Sequence, residues 1–372
     1  MKRSMELAVL AGLLLLGCQR PIGTLRPSMW TQEYPAIAEA ADQFTIRLLE
    51  LDATGRAKDP RQLAALDQAA RKADDIFLFI HGWRRDAHDV DTMKAFLSIY
   101  RGAFDCLSSQ DEEGTRACFV LHEFCHPRNP ESKLVLLVLW DGYSGPFGFG
   151  ATQARAETIG RLGLYDLLLN LHTKLDGRGT RLALGHSLGG AMLASALQRC
   201  AETGHRPLDA AILVVGAFDA RRFDELRSGP VTAGSHLLVL NLFNPHDGYL
   251  RMYRWLFDHP AAGESGLQGI ASVRGRIWAQ EGSPCQSRLI TTRGPSMWDA
   301  CSIRAPATGD SLMLLNLDLD GLVRNHVNIE EEGALRLYNR AAAEVLYKVL
   351  WTRSEEDEEG GPAAPADSAI SR

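Results

Sequence analysis

Arg181-Leu182-Ala183-Leu184-Gly185-His186-Ser187-Leu188-Gly189-Gly190-Ala191-Met192-Leu193-Ala194-Ser195-Ala196-Leu197 is the stretch that decides the fold. Arg181 to Leu184 has the character of a short buried strand, and Ala191 to Leu197 that of the helix after it. Between them stands G-x-S-x-G, from Gly185 to Gly189. The two glycines let the chain turn sharply without a Cβ collision. The turn leaves Ser187 exposed at a helix N-terminus, where the backbone N–H of Leu188 can point at a developing oxyanion. G-x-S-x-G alone is a common string. Strand, turn and helix around it are what make it a nucleophile elbow.

The same alternation extends in both directions. Phe44, Ile46 and Leu48 alternate with polar residues, as an early strand would. Apolar runs at Ile76–Ile80, Leu134–Trp140, Ala211–Val215 and Leu237–Leu242, with a weaker one at Leu312–Leu319, have the length of strands buried on both faces. Helical spacing marks Pro60–Ala73, Asp91–Leu107, Ala154–Lys174, Ala191–Thr203 and Glu330–Leu350. Strands alternating with helices predict an α/β class, with a mainly parallel sheet covered by helices on both faces. Two stretches break the pattern. Ser108–Lys133 is polar and loop-like. Leu250–Asp310 carries Trp255, Phe257, Trp278 and Trp298, and is long enough to form an insertion capping a site.

With the elbow in its strand–turn–helix setting, the chain resembles the α/β-hydrolase family of serine esterases and lipases, over roughly 44–350. The resemblance implies an acyl-enzyme on Ser187, hydrolysis of a carboxylic ester, and no metal or cofactor. It implies a catalytic acid and then a histidine after the serine, and a second oxyanion donor before it. Ile80-His81-Gly82-Trp83 matches the donor element, with the Trp83 backbone N–H beside that of Leu188. This stretch departs from the glycine-rich form of that element and is nearer a His-Gly-x form. Asp247, in the turn Asn244-Pro245-His246-Asp247-Gly248, is the acid, with Asp219 as its competitor. Either aspartate also suits an Asx turn or a helix cap. His326, in Arg324-Asn325-His326-Val327, is the base by chain order. His81 and His186 belong to the motifs and line the site.

The N-terminus has the marks of targeting. Met1-Lys2-Arg3 is positive and Leu7–Leu16 is apolar. That run is too short to cross about 30 Å of hydrocarbon, but suits a signal-peptide core. It ends in Leu15-Leu16-Gly17-Cys18, which resembles the lipobox of bacterial lipoproteins. The resemblance implies a signal peptide over 1–17, acylation of Cys18, a tether over 18–40 and a hydrolase domain over 41–352. Acyl chains on Cys18 would hold the protein to a membrane. Gln19 points to the outer membrane, facing the periplasm. Cys106, Cys118, Cys125, Cys200, Cys285 and Cys301 remain, and an oxidising compartment favours disulfides among them. Cys285 with Cys301, and one pair among Cys106, Cys118 and Cys125, are the local closures; sequence does not choose the pairing.

The 372 residues are 45% hydrophobic and 23% charged, with a net charge of −6, which excludes disordered, collagen-like and multi-span membrane classes. Glu355, Glu356, Asp357, Glu358, Glu359 and Asp367 make 353–372 an acidic tail expected to be disordered. No basic face is available for nucleic acid. A rival motif, His122-Glu123-Phe124-Cys125-His126, has the spacing of a zinc-peptidase helix, but Pro127 and Pro130 argue against that helix. A third possibility is an envelope lipoprotein that keeps the fold and serves as a non-catalytic binding module.

Overall fold

The computed structural model describes residues 45–83, 133–144, 148–175, 179, 181–222, 237–268, 272–275, 288–291, 297–299 and 312–318. Cys18, His326, the His122–His126 motif, the signal peptide, tether and acidic tail, and the helices expected at Asp91–Leu107 and Glu330–Leu350, lie outside the described residues.

Ten strands form one sheet among the described residues. They are β1 (Thr45–Leu51), β2 (Asp75–Ile80), β3 (Lys133–Trp140), β4 (Arg181–His186), β5 (Ala210–Val214), β6 (Leu237–Phe243), β7 (Ser272–Gly275), β8 (Arg288–Thr291), β9 (Met297–Asp299) and β10 (Leu312–Asp318). Their order is β1-β3-β2-β4-β5-β6-β10-β7-β8-β9. Every pairing from β1 to β7 is parallel, and only the β7–β8 and β8–β9 pairs run antiparallel. The α/β class and the mainly parallel sheet are therefore as the apolar runs predict. β5 reads Ala-Ala-Ile-Leu-Val and is buried at every position, as a strand covered on both faces must be.

The helices follow from local signals. α1 (Pro60–Lys72) is capped by Asp59, whose carboxylate accepts from the Arg61 N–H, and it opens on Pro60, whose missing N–H costs nothing there. Arg71 and Lys72 close it at the negative end of its dipole. α2 (Phe149–Ile159) and α3 (Tyr165–Leu175) are one run joined by a single π-helical turn, Gly160–Leu164. α4 (Leu188–Thr203) packs on β4 and against α2, and its buried residues run almost unbroken from Leu188 to Leu197. Small residues at Gly189, Gly190, Ala191, Ala194 and Ala196 let it lie this close to the sheet. α5 (Gly248–Phe257) and the short α6 (Ala262–Ser265) follow β6.

The 250–310 stretch differs from the expected excursion. Its described strands β7, β8 and β9 extend the sheet beyond β10. β10 would otherwise be an open edge, and pairing with β7 gives its backbone groups partners. Among the described residues, no helix is long and apolar enough to cross a membrane.

Candidate active site

Strand order locates a crevice before any side chain is considered. From β2 the chain moves outward to β3; from β4 it moves the other way, to β5 and β6. β2 and β4 are neighbours, so the connections leaving their carboxyl ends diverge between them. In open parallel sheets that divergence is where ligands bind. Here the two carboxyl ends are His81-Gly82-Trp83 and His186-Ser187.

Ser187, expected from sequence to be exposed, is buried at 3% exposure beneath the His81–Trp83 turn, and it has φ 54 and ψ −116, outside the conformations an L-residue normally takes. Such a residue costs on the order of 1–3 kcal/mol and persists only where its surroundings hold it. Its N–H donates to Val214 O at 2.9 Å, and its carbonyl accepts from Ala217 N at 3.0 Å. The next strand over thus grips both sides of the elbow. β2 crosses the start of α4 so closely that a Cβ on Gly189 would lie 2.2 Å from Ile80 O. A Cβ on Gly82 would lie 2.8 Å from Ser187 Cβ. Gly82 and Ser187, 105 positions apart in sequence, are therefore in van der Waals contact.

The donors predicted from sequence sit at this contact. Leu188 is the first residue of α4, so its N–H belongs to the turn that has no acceptor within the helix. Trp83 follows Gly82, and its side chain is anchored on Ser144 and Phe149. The indole N–H donates to Ser144 Oγ at 2.9 Å, and the ring meets Phe149 edge-on, with centroids 5.0 Å apart.

His81 is a pin between β2 and β3. The Trp140 backbone N–H donates to His81 Nε2 at 3.2 Å, which makes Nε2 an acceptor and puts the ring proton on Nδ1. Nδ1 then donates to Gly82 O at 3.0 Å. The Trp140 indole N–H donates to His81 O at 3.0 Å, and the two rings stack. Both ring nitrogens are thus committed, and His81 holds the shape of the site. Trp140 is fully buried, and its indole is part of this pin.

The two acid candidates differ in surroundings. Asp247 is 0% exposed and caps α5, with Oδ1 accepting from Tyr249 N at 2.9 Å and Leu250 N at 3.1 Å. It follows β6, two strands from β4 in the same sheet. Asp219 follows β5. Burial pushes its carboxyl up, but hydrogen bonds from Arg221 outweigh this and leave it below the usual carboxylate range. The Arg221 guanidinium grips both its oxygens at 2.6–3.1 Å, and His259 Nε2 lies 3.8 Å away. Asp219 is therefore held by other partners, as an Asx turn and ion pair would hold it. β10, the strand before His326, pairs with β6 on its far side.

Beside the site, Phe149, Tyr253, Phe257 and His259 form an aromatic cluster that continues from Trp83. Trp255, in the stretch expected to form a capping insertion, lies on α5 and stands 74% exposed. Cys200 is a buried free thiol on α4, pushed up to about 12 by burial, and so is chemically quiet.

Sequence reasoning missed one feature of this edge. Asn241 on β6 and Asn316 on β10 are both buried and directly opposite in register. The only sequence signal was an asparagine at the fifth position of each apolar run.

No protein-family model matches the chain, and no curated protein matches it. Among solved structures it is similar to an uncharacterized protein from Pseudomonas aeruginosa, at 11% identity and a TM-score of 0.25. That match covers 84% of this chain and 54% of the other, so the chain spans about half the length of that neighbour.

Proposed function

We propose that the chain is a serine hydrolase with the α/β-hydrolase fold, cutting carboxylic esters through an acyl-enzyme on Ser187. The observation that carries this reading is the backbone of Ser187, held at φ 54 and ψ −116 between β4 and α4 with Gly82 against it. A strained, over-determined serine at a switch point is what a nucleophile requires, and a plain βα turn has no use for the cost.

His326 takes the Ser187 proton as Oγ attacks the substrate carbonyl. The N–H groups of Leu188 and Trp83 stabilise the oxyanion. His326 then protonates the departing alkoxide, and the alcohol leaves. Water, losing its proton to His326, attacks the acyl-enzyme, and Ser187 leaves with that proton as the acid is released. Asp247 orients the imidazole and stabilises its charged form. The carboxylate that already caps α5 through Oδ1 is rigid enough for that task. The chain needs no cofactor for this chemistry. The lipobox at Cys18 supports a lipid-anchored protein of the bacterial envelope, with a small-molecule or lipid ester as substrate.

The test is a fluorophosphonate probe on the full chain, with mass-spectrometric mapping of the labelled peptide. Ser187 Oγ attacks phosphorus, fluoride leaves, and His326 takes the proton. Label on Ser187 that is absent from Ser187→Ala is the expected result. Folded protein without label would overturn the hydrolase reading in favour of a binding module.

A further inference from the structure

Two asparagines stand in the otherwise apolar strands Leu-Leu-Val-Leu-Asn-Leu-Phe and Leu-Met-Leu-Leu-Asn-Leu-Asp. Asn241 is 0% exposed and Asn316 1%. A buried amide is costly unless its hydrogen bonds are made, so a pair of them demands a reason. They are cross-strand partners, and Asn241 Nδ2 donates to Asn316 Oδ1 at 3.1 Å.

Both amides hold the same segment, 262–268, which runs as a strap over the carboxyl edge. Asn241 Nδ2 also donates to Ala262 O at 3.0 Å. Asn316 Nδ2 donates to Leu267 O at 3.0 Å, and Asn316 Oδ1 accepts from Leu267 N at 2.8 Å. Gly266, at φ +78, lies so close that a Cβ there would be 3.0 Å from Asn316 Nδ2.

The strap in turn holds the turns that carry the site. Its N–H groups at Ala262, Gly263 and Gln268 donate to Phe218 O, Gly216 O and Ala220 O, after β5. Gly263 O accepts from Asn244 N at 2.8 Å, at the start of the turn that ends in Asp247. Glu264, 2% exposed, pairs with Arg254 on the helix that Asp247 caps. One segment thus fastens β10 to the turn bearing Asp247.

Resting on the hydrolase reading, we propose that Asn316 is a positioning residue of that reaction. Through Asn241 and the strap it holds the turn that bears Asp247 against β6 and β10. A side chain that only stabilised the sheet could pair with its neighbour strand alone. Asn316 instead spends both of its polar atoms on a loop whose other bonds go to the turns around the site.

The experiment compares fluorophosphonate labelling of the full chain with that of Asn316→Leu and Asp209→Asn. Asp209 pairs with Arg181 at the opposite sheet edge, so its variant reports loss of a buried polar contact away from the site. The expected result is a maximal labelling rate lowered ten-fold or more in Asn316→Leu, with the probe's half-saturating concentration unchanged. Asp209→Asn should label at the native rate once folded. A native rate in Asn316→Leu, a change confined to half-saturation, or an equal loss in both variants would overturn the proposal. Where Asn316→Leu does not fold, Gly266→Ala decides: its Cβ pushes the strap off the amide, a lowered maximal rate supports the proposal and a native rate overturns it. A native chain that fails to label sinks the hydrolase reading itself, and this proposal with it.

Discussion

The two edges of the sheet are built differently. At the amino edge, Arg181 on β4 meets Asp209 in a two-pronged pair at 2.8 and 3.0 Å, and its backbone N–H donates to the same carboxylate. Lys174 pairs with Asp67 nearby. At the carboxyl edge the chain accepts unfavourable backbone at Ser187 and Val215, with φ 54 and 43, and brings β2 against α4 with no room for a side chain at Gly189. Charge pairs fasten both edges, Asp219–Arg221 and Arg254–Glu264 among them at the carboxyl edge, but the strained backbone of Ser187 and Val215 stands at the carboxyl ends of the strands. Strain is tolerated where a side chain must be presented, and the surrounding fold has to supply the free energy that holds it.

Three sets of substitutions test that contrast, beyond the labelling experiments. The largest effect belongs to the proposed acid. Asp247→Asn keeps an oxygen for the α5 cap but removes the charge, and turnover of a p-nitrophenyl ester should fall on the order of 10⁴-fold. Asp219→Asn should leave turnover within a few-fold, because its carboxylate is occupied by Arg221. The reverse pattern would exchange the two assignments.

Next comes the amino edge. Asp209→Asn leaves the Arg181 guanidinium with little solvent to replace its partner, since the two side chains are 12% and 8% exposed. Chemical denaturation should show a loss of about 3 kcal/mol, the scale for breaking one side of a buried pair. Activity per folded molecule should not change. A loss well under 1 kcal/mol would mean that this edge is not where stability is concentrated.

The smallest effect is the most pointed. Ser187→Gly abolishes turnover but should raise the unfolding free energy by roughly 1 kcal/mol, because glycine accepts φ 54 at little cost. Ser187→Ala, equally dead, should gain nothing, since alanine bears the same strain. Equal stabilities for the glycine and alanine variants would show that the elbow stores no strain.

Much of this molecule is legible in its residues. The apolar runs at 76–80, 134–140, 211–215 and 237–242 fall on strands, and the elbow at 185–189 lies between its strand and helix. These follow from local chemistry, because a short apolar run bounded by turn residues suits a strand buried on both faces. Less legible were the π-helical turn at Gly160–Leu164, the His81–Trp140 pin and the continuation of the sheet through β7–β9. Each depends on a partner distant in the chain. The 59 positions between His81 and Trp140 leave no local trace that the two rings will stack.

By itself, then, the sequence determined the class of the fold and the identity of the candidate nucleophile, since periodicity and turn chemistry act over a few residues. It left Asp219 and Asp247 both open, and treated Asn241 and Asn316 as incidental letters in apolar strands. Only the tertiary structure decided that Gly82 touches Ser187, that Asp247 is fully buried, and that the two asparagines share one strap. Those outcomes depend on which strand lies beside which. That order is set by the packing of the whole sheet rather than by any stretch of chain.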